Sequence, residues 1–556
     1  MQSTKLWINK IPQKEIFYEL VSKGCFTPLI AQILANKGFT DVEKAYSFLY
    51  PRLEDFSNPF ELPDTNSAVK RIHQAIEKKE VIGIYGDSDT DGIVGSFVLA
   101  HFLKSLGAKV EVLIPSKEKF GYGFHPEFLS WFKQKGVTLL ITVDVGISAE
   151  ETVNQAKSMG IDVIVTDHHE ITSLPPCIVV SGKLLPSSSP FYNLCGTGVS
   201  FTLIRALRTY LYHRGYFKNE MPNLRKYLEL VGLATLADMV PIEGENRVIT
   251  YFGFRDLSDP EFLPVKVLIK NCNIKYGITE EDLYFKLIPR LNAAGRLGKP
   301  EVVLNFLFSE TEEEAEFWWK EIENLNNKRQ EIELKAVESL ISLAEEQAKD
   351  SSVIFLTAEN LPKGLLGLVA NRFKNMYQLP VLVITYNNGI AFGSARAPEG
   401  INFLKVVKEC EDLLIELGGH KRAFGFQLKT QNLEVFKEKL GKVFKRKEEE
   451  SLEKIYIDAQ VSLSELLLQE NQHALAEMHP YGYAHEAPVL LLKNFEVKEC
   501  QILKDKHSKL FLSWAGETMV AICFNRILNK DIKLVVGSPF INTYKKQLEI
   551  NVKDVR

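Results

Sequence analysis

Short apolar runs along this chain alternate with longer stretches whose apolar residues recur at helical spacing. Short buried strands separated by helices are typical of a parallel sheet that is covered on both faces. The pattern therefore predicts an α/β domain over residues 76–308, preceded by an N-terminal helical segment over residues 1–75. The runs that we expect to form strands of this sheet are 81–85, 109–114, 138–143 and 162–165.

Downstream of this domain, a long helix is predicted over residues 309–350, where the sequence is highly charged and has no Pro or Gly. A helix of this length can act as a stiff connector between two lobes. The runs 353–356 and 381–385 then predict a smaller α/β domain over residues 351–450. Several short strands with tight turns follow, and they predict a small β-barrel or sandwich over residues 451–556.

Composition narrows the class of protein but does not decide its function. The chain has 556 residues, too many for one core, with 45% hydrophobic and 25% charged residues. Its seven cysteines form no CxxC pair, which disfavours a zinc site and a disulfide framework. We see no signal peptide or membrane span and expect a cytoplasmic protein. A net charge of −4 disfavours a uniformly basic nucleic-acid-binding protein but is compatible with a local basic groove.

Four segments place acidic or histidine side chains at the end of an apolar segment. Because the carboxyl ends of parallel strands meet at one edge of a sheet, we expect these side chains to converge. Converging carboxylates repel one another, and a divalent cation relieves that repulsion. The side chains are Asp87, Asp89 and Asp91 in YGDSDTDG, Asp144 in TVDVGIS, Asp167, His168 and His169 in VTDHHE, and Asp238 in LADMVP.

Oxygen ligands with one or two imidazoles suit Mn²⁺ or Mg²⁺, and two such ions can activate water and stabilise the leaving oxygen of a phosphodiester. Each segment alone also has a structural interpretation. Asp and Gly after a strand commonly form turns, an isolated DHH tripeptide arises by chance, and Asp238 can serve on a helix surface. The joint occurrence of the four segments favours a metal site.

In this order the four segments resemble the signature of the DHH phosphoesterases. GSARA (393–397) and GGHKRAFG (418–425) are similar to the two hallmarks of the DHHA1 domain. PRLNAAGRLG (289–298) resembles a segment of the single-strand-specific exonuclease branch of this superfamily. The resemblance implies a parallel-sheet DHH domain, joined by a long helix to a smaller α/β DHHA1 domain, plus a C-terminal OB-fold. It also implies a 5′-to-3′ exonuclease for single-stranded DNA in repair and recombination.

The resemblance assigns roles by matching positions. It implies two ions, Mn²⁺ or Mg²⁺, and metal ligands Asp89, Asp91, Asp144, His168 and Asp238. It implies catalytic roles for His169, at the scissile phosphate, and for Asp87, in support of the metal site. Substrate-binding roles fall on Arg290, Asn292, Arg296, Ser394, Arg396, Gly418, Gly419 and His420. Further cations that can serve the DNA backbone are Lys363, Arg372, Lys374, Lys421 and Arg422. The implied partners are single-stranded DNA, a single-strand-binding protein and a helicase, for a protein that works as a monomer.

This sequence departs from the family pattern at three places. Tyr85 stands where many relatives have a histidine before the first motif, which bears on one metal position. Residues 361–367, LPKGLLG, lack the Trp and His of a WHxGVIG segment, and residues 480–486, PYGYAHE, lack a GNP. Two other functions stay open. One is a DHH oligoribonuclease or cyclic-dinucleotide phosphodiesterase, and the other is a non-catalytic replication scaffold that keeps the fold without its metals.

Overall fold

A computed structural model describes residues 5–218, 220–444 and 454–556 of the chain. The predicted boundary between the second α/β domain and the C-terminal domain, at residues 450 and 451, lies outside these ranges. No helix in the described ranges has the length and hydropathy needed to cross a bilayer.

The N-terminal segment packs against the C-terminal domain. Its elements are β1 (Leu6–Asn9), α1 (Lys14–Ser22), α2 (Pro28–Asn36), α3 (Val42–Leu49) and α4 (Thr65–Glu77). Apolar side chains of α1 to α3 share one core with the C-terminal sheet, whereas α4 packs on the first α/β domain. The sequence predicts helices alone here, which is wrong for β1, because a four-residue strand has too few positions to show a period.

The first α/β domain is built on a five-stranded parallel sheet of order β3-β2-β4-β5-β6. Alternate strand residues contribute to two cores, one on each face, as expected for a sheet covered by helices on both sides. Its elements are β2 (Val81–Gly86), α5 (Thr90–Ser105), β3 (Lys109–Leu113), α6 (Lys117–Phe120), α7 (Leu129–Gln134), β4 (Val137–Val143), α8 (Glu150–Ser158), β5 (Asp162–Thr166) and β6 (Ile178–Val180).

Helices complete this domain and lead to the connector. They are α9 (Gly196–His213), α10 (Leu228–Asp238), α11 (Glu245–Asp256), α12 (Leu263–Asn271), α13 (Glu280–Asp282), α14 (Ile288–Arg296), α15 (Glu301–Leu307) and α16 (Glu312–Asp350). The connector α16 has 39 residues, and Thr311 caps its first turn through Glu314 N. Its first half packs in the core of the first domain and its second half in that of the next, which confirms the predicted bridge.

The second α/β domain has a sheet of order β10-β11-β9-β8-β7 in which only the β7–β8 pair is parallel. Strand β10 therefore lies at an edge. The elements are β7 (Ile354–Thr357), α17 (Lys363–Tyr377), β8 (Val381–Asn387), β9 (Ile390–Arg396), α18 (Phe403–Lys408), β10 (Leu414–His420), β11 (Ala423–Lys429) and α19 (Leu433–Phe444).

The C-terminal domain is strand-rich, as the sequence predicts. Strand β12 (Lys454–Ile457) pairs with β1, and the remaining strands form a seven-stranded sheet of order β13-β14-β18-β19-β17-β16-β15. The elements of that sheet and its helices are β13 (Ala459–Ser462), α20 (Leu463–Leu467), α21 (Gln469–Glu477), β14 (Leu490–Lys493), β15 (Glu496–Leu503), β16 (His507–Trp514), β17 (Glu517–Cys523), β18 (Val535–Asn542) and β19 (Gln547–Val555).

Candidate metal centre and substrate groove

The first acidic motif lies between β2 and α5, where backbone N–H groups hold its carboxylates. Asp89 caps α5, because its Oδ1 accepts hydrogen bonds from the N–H of Asp91 at 3.1 Å and of Gly92 at 3.2 Å. Asp91 is buried, and its two oxygens accept from the N–H of Gly196 at 2.7 Å and Thr197 at 2.9 Å. Two helix N-termini thus fix two carboxylates at the end of β2.

The other motifs follow β4, β5 and α10. Asp144 comes directly after β4, is buried and has a φ of 63°, a left-handed conformation that a non-glycine residue adopts at a cost. His168 and His169 lie just beyond β5, and Asp238 is the last residue of α10. The ends of the strands, together with the end of α10, thereby bring the predicted ligands to one edge of the sheet.

At this edge the side chains converge on His168. Its Nε2 lies 3.1 Å from Asp144 Oδ1, 3.5 Å from Asp238 Oδ2 and 4.0 Å from Asp91 Oδ2. Three sets of side chains have ligand atoms within 4.8 Å of one another. They are Asp144, His168 and His169; Asp91, His168 and Asp238; and Asp87, Asp89 and Asp144.

The donor set fits divalent cations. Asp144 Oδ1, His168 Nε2 and Asp238 Oδ2 are buried and have no hydrogen-bond partner among the described residues. Such atoms are costly to bury unless something else satisfies them. Carboxylate oxygens with one or two imidazole nitrogens suit Mn²⁺ or Mg²⁺.

The electrostatics of the cluster lead to the same conclusion. Burial and the charge on Asp91 raise the pKa of Asp144 and of Asp238 well above the ordinary aspartate value. Burial and the neighbouring Asp89 raise the pKa of Asp91 to about 6. Burial and His169 lower the pKa of His168 to about 3, so its imidazole is neutral and free to ligate. A bound cation removes the mutual repulsion of these carboxylates.

The acidic member of the DHH triplet has a different role from its neighbours. Asp167 is fully buried and its Oδ1 accepts from Nδ1 of His169 at 2.8 Å, while its Oδ2 accepts from the N–H of Ile147 at 2.9 Å. Burial opposes its ionisation, but the hydrogen bond from His169 and the imidazole charge lower its pKa. Asp167 therefore orients His169, a role that the motif alone does not reveal.

Two further side chains at the centre follow β3, one in α6 and one in the loop after α6, and no pattern in the sequence separates them from ordinary surface residues. Lys117 Nζ donates to Asp87 Oδ2 at 3.1 Å. Burial opposes its charge, but Asp87 and Asp89 raise the pKa of Lys117, so the amine stays protonated. The hydroxyl of Tyr122 lies 3.0 Å from His169 Nδ1.

Tyr85, one of the positions at which the sequence departs from the family pattern, has a structural role. Its ring is buried against Phe124, its hydroxyl donates to the carbonyl of Gly123 at 2.9 Å, and it accepts from the N–H of His125 at 3.2 Å. The side chain thus fixes the loop that contains Tyr122.

The PRLNAAGR segment forms α14 and packs on the first motif. Asn292 Oδ1 accepts from both the N–H and the hydroxyl of Thr90, at 2.9 Å each. A Cβ on Gly295 would lie 1.9 Å from the carbonyl oxygen of Ser88, so only glycine fits there. The segment therefore holds the start of α5 in place.

The arginines of this segment point to different partners. The resemblance implies a place in the substrate passage for Arg290, but its Nε donates to Glu323 of α16 at 2.7 Å. This pairing attaches the segment to the connector. Arg296 donates to the carbonyl of Gly364 at 2.9 Å and so reaches the second lobe.

The predicted substrate residues of the second lobe lie at one end of its sheet. Arg396 donates to Ser394 Oγ at 3.0 Å, and burial together with Arg296 lowers its pKa to about 10. Gly418, Gly419 and His420 are exposed on the edge strand β10, and His420 pairs with Ala423, which in turn pairs with Arg396. Among the additional cations, Arg372 is paired with Glu333 and Arg422 with Glu399.

Comparison with known proteins agrees with this arrangement. Sequence profiles match for the DHH family, N-terminal domain, at residues 81–235, the DHHA1 domain at 350–446 and the RecJ OB domain at 457–554. The single-stranded-DNA-specific exonuclease RecJ of Bacillus subtilis is 32% identical over 574 residues, covering 100% of this chain and 71% of that protein. The Escherichia coli protein of the same name is 28% identical over 522 residues, covering 90% of this chain and 89% of that protein.

Solved structures give the same result. RecJ from Thermus thermophilus in complex with Mn²⁺ matches with a TM-score of 0.82 and 25% identity, covering 100% of this chain and 80% of that chain. A crystal structure of exonuclease RecJ bound to manganese matches with a TM-score of 0.59 and 29% identity, covering 70% of this chain and 96% of that chain. The resemblance drawn from the motifs is thereby confirmed, and the chain belongs to the RecJ family of single-stranded-DNA-specific exonucleases.

Proposed function

We propose that this protein is a divalent-metal-dependent exonuclease that degrades single-stranded DNA from its 5′ end in DNA repair and recombination. One observation carries the proposal. Asp144 Oδ1, His168 Nε2 and Asp238 Oδ2 are buried, without hydrogen-bond partners among the described residues, and face one another. The names of the relatives support single-stranded DNA as the substrate, and the 5′ polarity is part of our proposal. RecJ relatives have been solved with Mn²⁺ and with Mg²⁺, which supports the choice of cation.

The residues that we assign to the two ions are Asp89, Asp91, Asp144, His168 and Asp238, with Asp87 supporting the site. When bound, the ions supply a water nucleophile active at neutral pH and stabilise charge on the leaving oxygen. His169 is held through Nδ1 by Asp167, which leaves Nε2 to contact the scissile phosphate or to move a proton. Lys117 adds a fixed positive charge beside Asp87.

Two arginines beside the contact between the lobes favour a single-stranded substrate that passes between them. Arg296 of the first lobe and Arg396 of the second both reach the start of α17, since Arg296 donates to the Gly364 carbonyl and a terminal nitrogen of Arg396 lies beside Gly367. An Arg fork is well suited to phosphate oxygens, and Ser394 adds a hydroxyl beside it. We propose that the groove admits one strand and excludes a duplex, so that a helicase must first release the strand.

We extend the proposal to the setting in which the protein works. A monomer acting in the cytoplasm would meet single strands that are coated by a single-strand-binding protein. That protein and a helicase are the partners that we propose. Sedimentation of the purified protein, alone and with each partner, tests this part.

The decisive experiment uses long oligonucleotides labelled at the 5′ or the 3′ end, single- and double-stranded, with Mn²⁺, Mg²⁺ or chelator. We expect early loss of the 5′ label, only from single strands and only with metal. Cleavage restricted to dinucleotides would instead favour an oligoribonuclease or cyclic-dinucleotide phosphodiesterase. Metal binding without any cleavage would favour the non-catalytic scaffold, a class that has lost acidic ligands which this chain retains.

A further inference from the structure

The first lobe contacts the backbone of Lys363 and Gly364 at the start of α17. The N–H groups of Lys363 and Gly364 donate to the two carboxylate oxygens of Glu118, at 3.2 Å each. The carbonyl of the same Gly364 accepts from Arg296 at 2.9 Å. Both Glu118 and Arg296 belong to the first lobe. The first lobe therefore binds both the N–H and the carbonyl of Gly364.

Only glycine fits at this contact. A Cβ on Gly364 would lie 2.6 Å from the carbonyl oxygen of Arg296 and 3.0 Å from its Cα. Atoms at these separations would have to move, and both are backbone atoms. The close approach of the lobes therefore depends on the bare backbone at this position.

Glu118 supplies the cap that α17 lacks. Pro362 precedes the helix and makes no side-chain capping bond, and the first N–H groups of a helix have no partner within it. A carboxylate at this end satisfies two of these groups and interacts favourably with the helix dipole. Here the cap comes from the other lobe, 245 residues away in sequence from Lys363.

Helices α6 and α17, which meet at this contact, also reach Asp87 in the first lobe and Arg396 in the second. Lys117 precedes Glu118 in α6, and its amine contacts Asp87. Along α17, Gly367 lies one turn beyond Gly364, and the added Cβ of an alanine there would clash with a terminal nitrogen of Arg396, at 2.4 Å. The start of α17 is thus placed by the first lobe and in turn limits where the Arg396 guanidinium can lie.

We propose that Glu118 is a positioning residue that fastens the second lobe over the metal centre and thereby presents Arg396 to the DNA strand. Within the described ranges, Glu118 makes no hydrogen bond or ion pair with a predicted metal ligand, so it acts through α17. The kinetic part of this inference rests on the proposed exonuclease function. The contact itself does not, and it can be measured without turnover.

The first test separates positioning from chemistry. Glu118→Ala should raise the KM for single-stranded DNA by about tenfold and leave kcat within about twofold, because strand binding must then order the lobes. Glu118→Gln keeps one acceptor oxygen and should recover part of the loss. Glu127→Ala, at an exposed glutamate of the same lobe, is the matched control and should behave as wild type. A fall in kcat at unchanged KM would overturn the proposal.

The second test reads the contact directly by hydrogen exchange of the peptide covering residues 361–367. In Glu118→Ala the amides of Lys363 and Gly364 should exchange about tenfold faster, with the core strands of both lobes unchanged. Gly364→Ala should give the same local effect while Glu118 is intact. Unchanged exchange in both variants would refute the contact. An inactive wild-type protein would refute the proposed function, and the exchange data would still decide the contact.

Discussion

At the scale of single residues, the metal centre combines buried charges that the fold alone cannot satisfy. Asp144 and Asp238 have pKa values raised by burial and by Asp91, and His168 has its pKa lowered to about 3 by burial and by His169. Without cations these groups oppose folding, and with cations they are ligands. The centre therefore lowers the stability of the metal-free protein and raises its affinity for metal.

Asp144→Asn tests whether Asp144 lowers the stability of the metal-free protein and contributes to metal binding. In chelator we expect the variant to melt a few degrees above wild type, because one buried like charge is gone. With Mn²⁺ it should show less of the metal-induced stabilisation of wild type, and kcat should fall by about 10²–10³-fold. Thermal melts with and without Mn²⁺, together with an exonuclease assay, measure both effects. Asp505→Asn, at an exposed turn, is the control. Full activity of Asp144→Asn would show that Asp144 is not part of the metal centre.

Asp167→Asn tests the orientation of His169. The amide preserves the size of the side chain but loses the charge that accepts from Nδ1. We expect kcat to fall by about 10–100-fold, the range for residues that orient histidines at a metal site, with Mn²⁺ affinity largely kept. Metal titration by calorimetry and steady-state kinetics on the same preparation separate the two. Equal losses of metal binding and activity would instead make Asp167 a ligand.

At the scale of elements, close backbone contacts place the motifs. Helix α14 lies against the carbonyl of Ser88, inside the first motif, and α17 lies against Arg296 at the end of α14. Each contact is made at a glycine. These glycines are needed for space, since neither Gly295 nor Gly364 has a positive φ.

Gly295→Ala should therefore disturb the metal centre through α14. Its Cβ would lie 1.9 Å from the Ser88 carbonyl oxygen, so the helix must shift, and overpacking of this kind costs about 1–3 kcal/mol of unfolding free energy. Gly441→Ala is the matched control within α19, where nothing lies within 4 Å of the added Cβ. Gly441→Ala should raise the free energy of unfolding by about 0.5–1 kcal/mol. Chemical denaturation of both variants decides the comparison, and a neutral Gly295→Ala would contradict the packing.

At the scale of the whole molecule, a buried arginine joins three parts of the chain. Arg247 of α11 donates to the carbonyls of Phe48, Glu477, Met478 and His479, from the N-terminal segment and the C-terminal domain. Burial lowers its pKa to about 9, and no carboxylate pairs with it among the described residues. These hydrogen bonds attach the first α/β domain to the core that the N-terminal segment shares with the C-terminal domain.

Arg247→Met should separate these parts. Methionine fills much of the volume but removes a donor from four carbonyls, of which only that of Met478 also accepts from His485. Each buried group left unsatisfied costs about 1–3 kcal/mol. We expect the unfolding free energy to fall by roughly 3 kcal/mol or more, and the calorimetric melt to broaden or split. Arg255→Met, which removes an exposed pairing with Glu477, should change the melt little. Equal effects of the two variants would contradict the special role of Arg247.

His485 makes the same junction sensitive to acid. Its Nε2 donates to the Met478 carbonyl at 2.7 Å, and Nδ1 faces Lys37 Nζ at 3.3 Å. Burial first, then the positive charges of Lys37 and Arg247, lower the pKa of His485 well below its ordinary value. A lowered pKa contributes stability that is present above the unfolded-state pKa, about 6.5, and is lost as pH falls below it.

Urea denaturation at pH values of about 7.5 and about 5.5, on either side of the unfolded-state pKa, tests this sign. Wild type should lose more stability between the two values than His485→Gln, which cannot become charged. His213→Gln, at the exposed end of α9, should keep the wild-type difference. An unchanged pH dependence in His485→Gln would show that His485 does not contribute.

Local patterns were enough to predict the connecting helix, four of the five strands of the first sheet, and the acidic and histidine side chains that converge at one edge of it. The strand runs, the helix without Pro or Gly and the order of the acidic motifs can be read from neighbouring residues, because side-chain periodicity and ligand type are local properties. Which side chains share a contact depends on how distant segments pack. The pairing of β1 with β12, the partner of Arg290, the place of Lys117 and the hold of Glu118 on Gly364 all join such segments, and no local pattern records a distance between them.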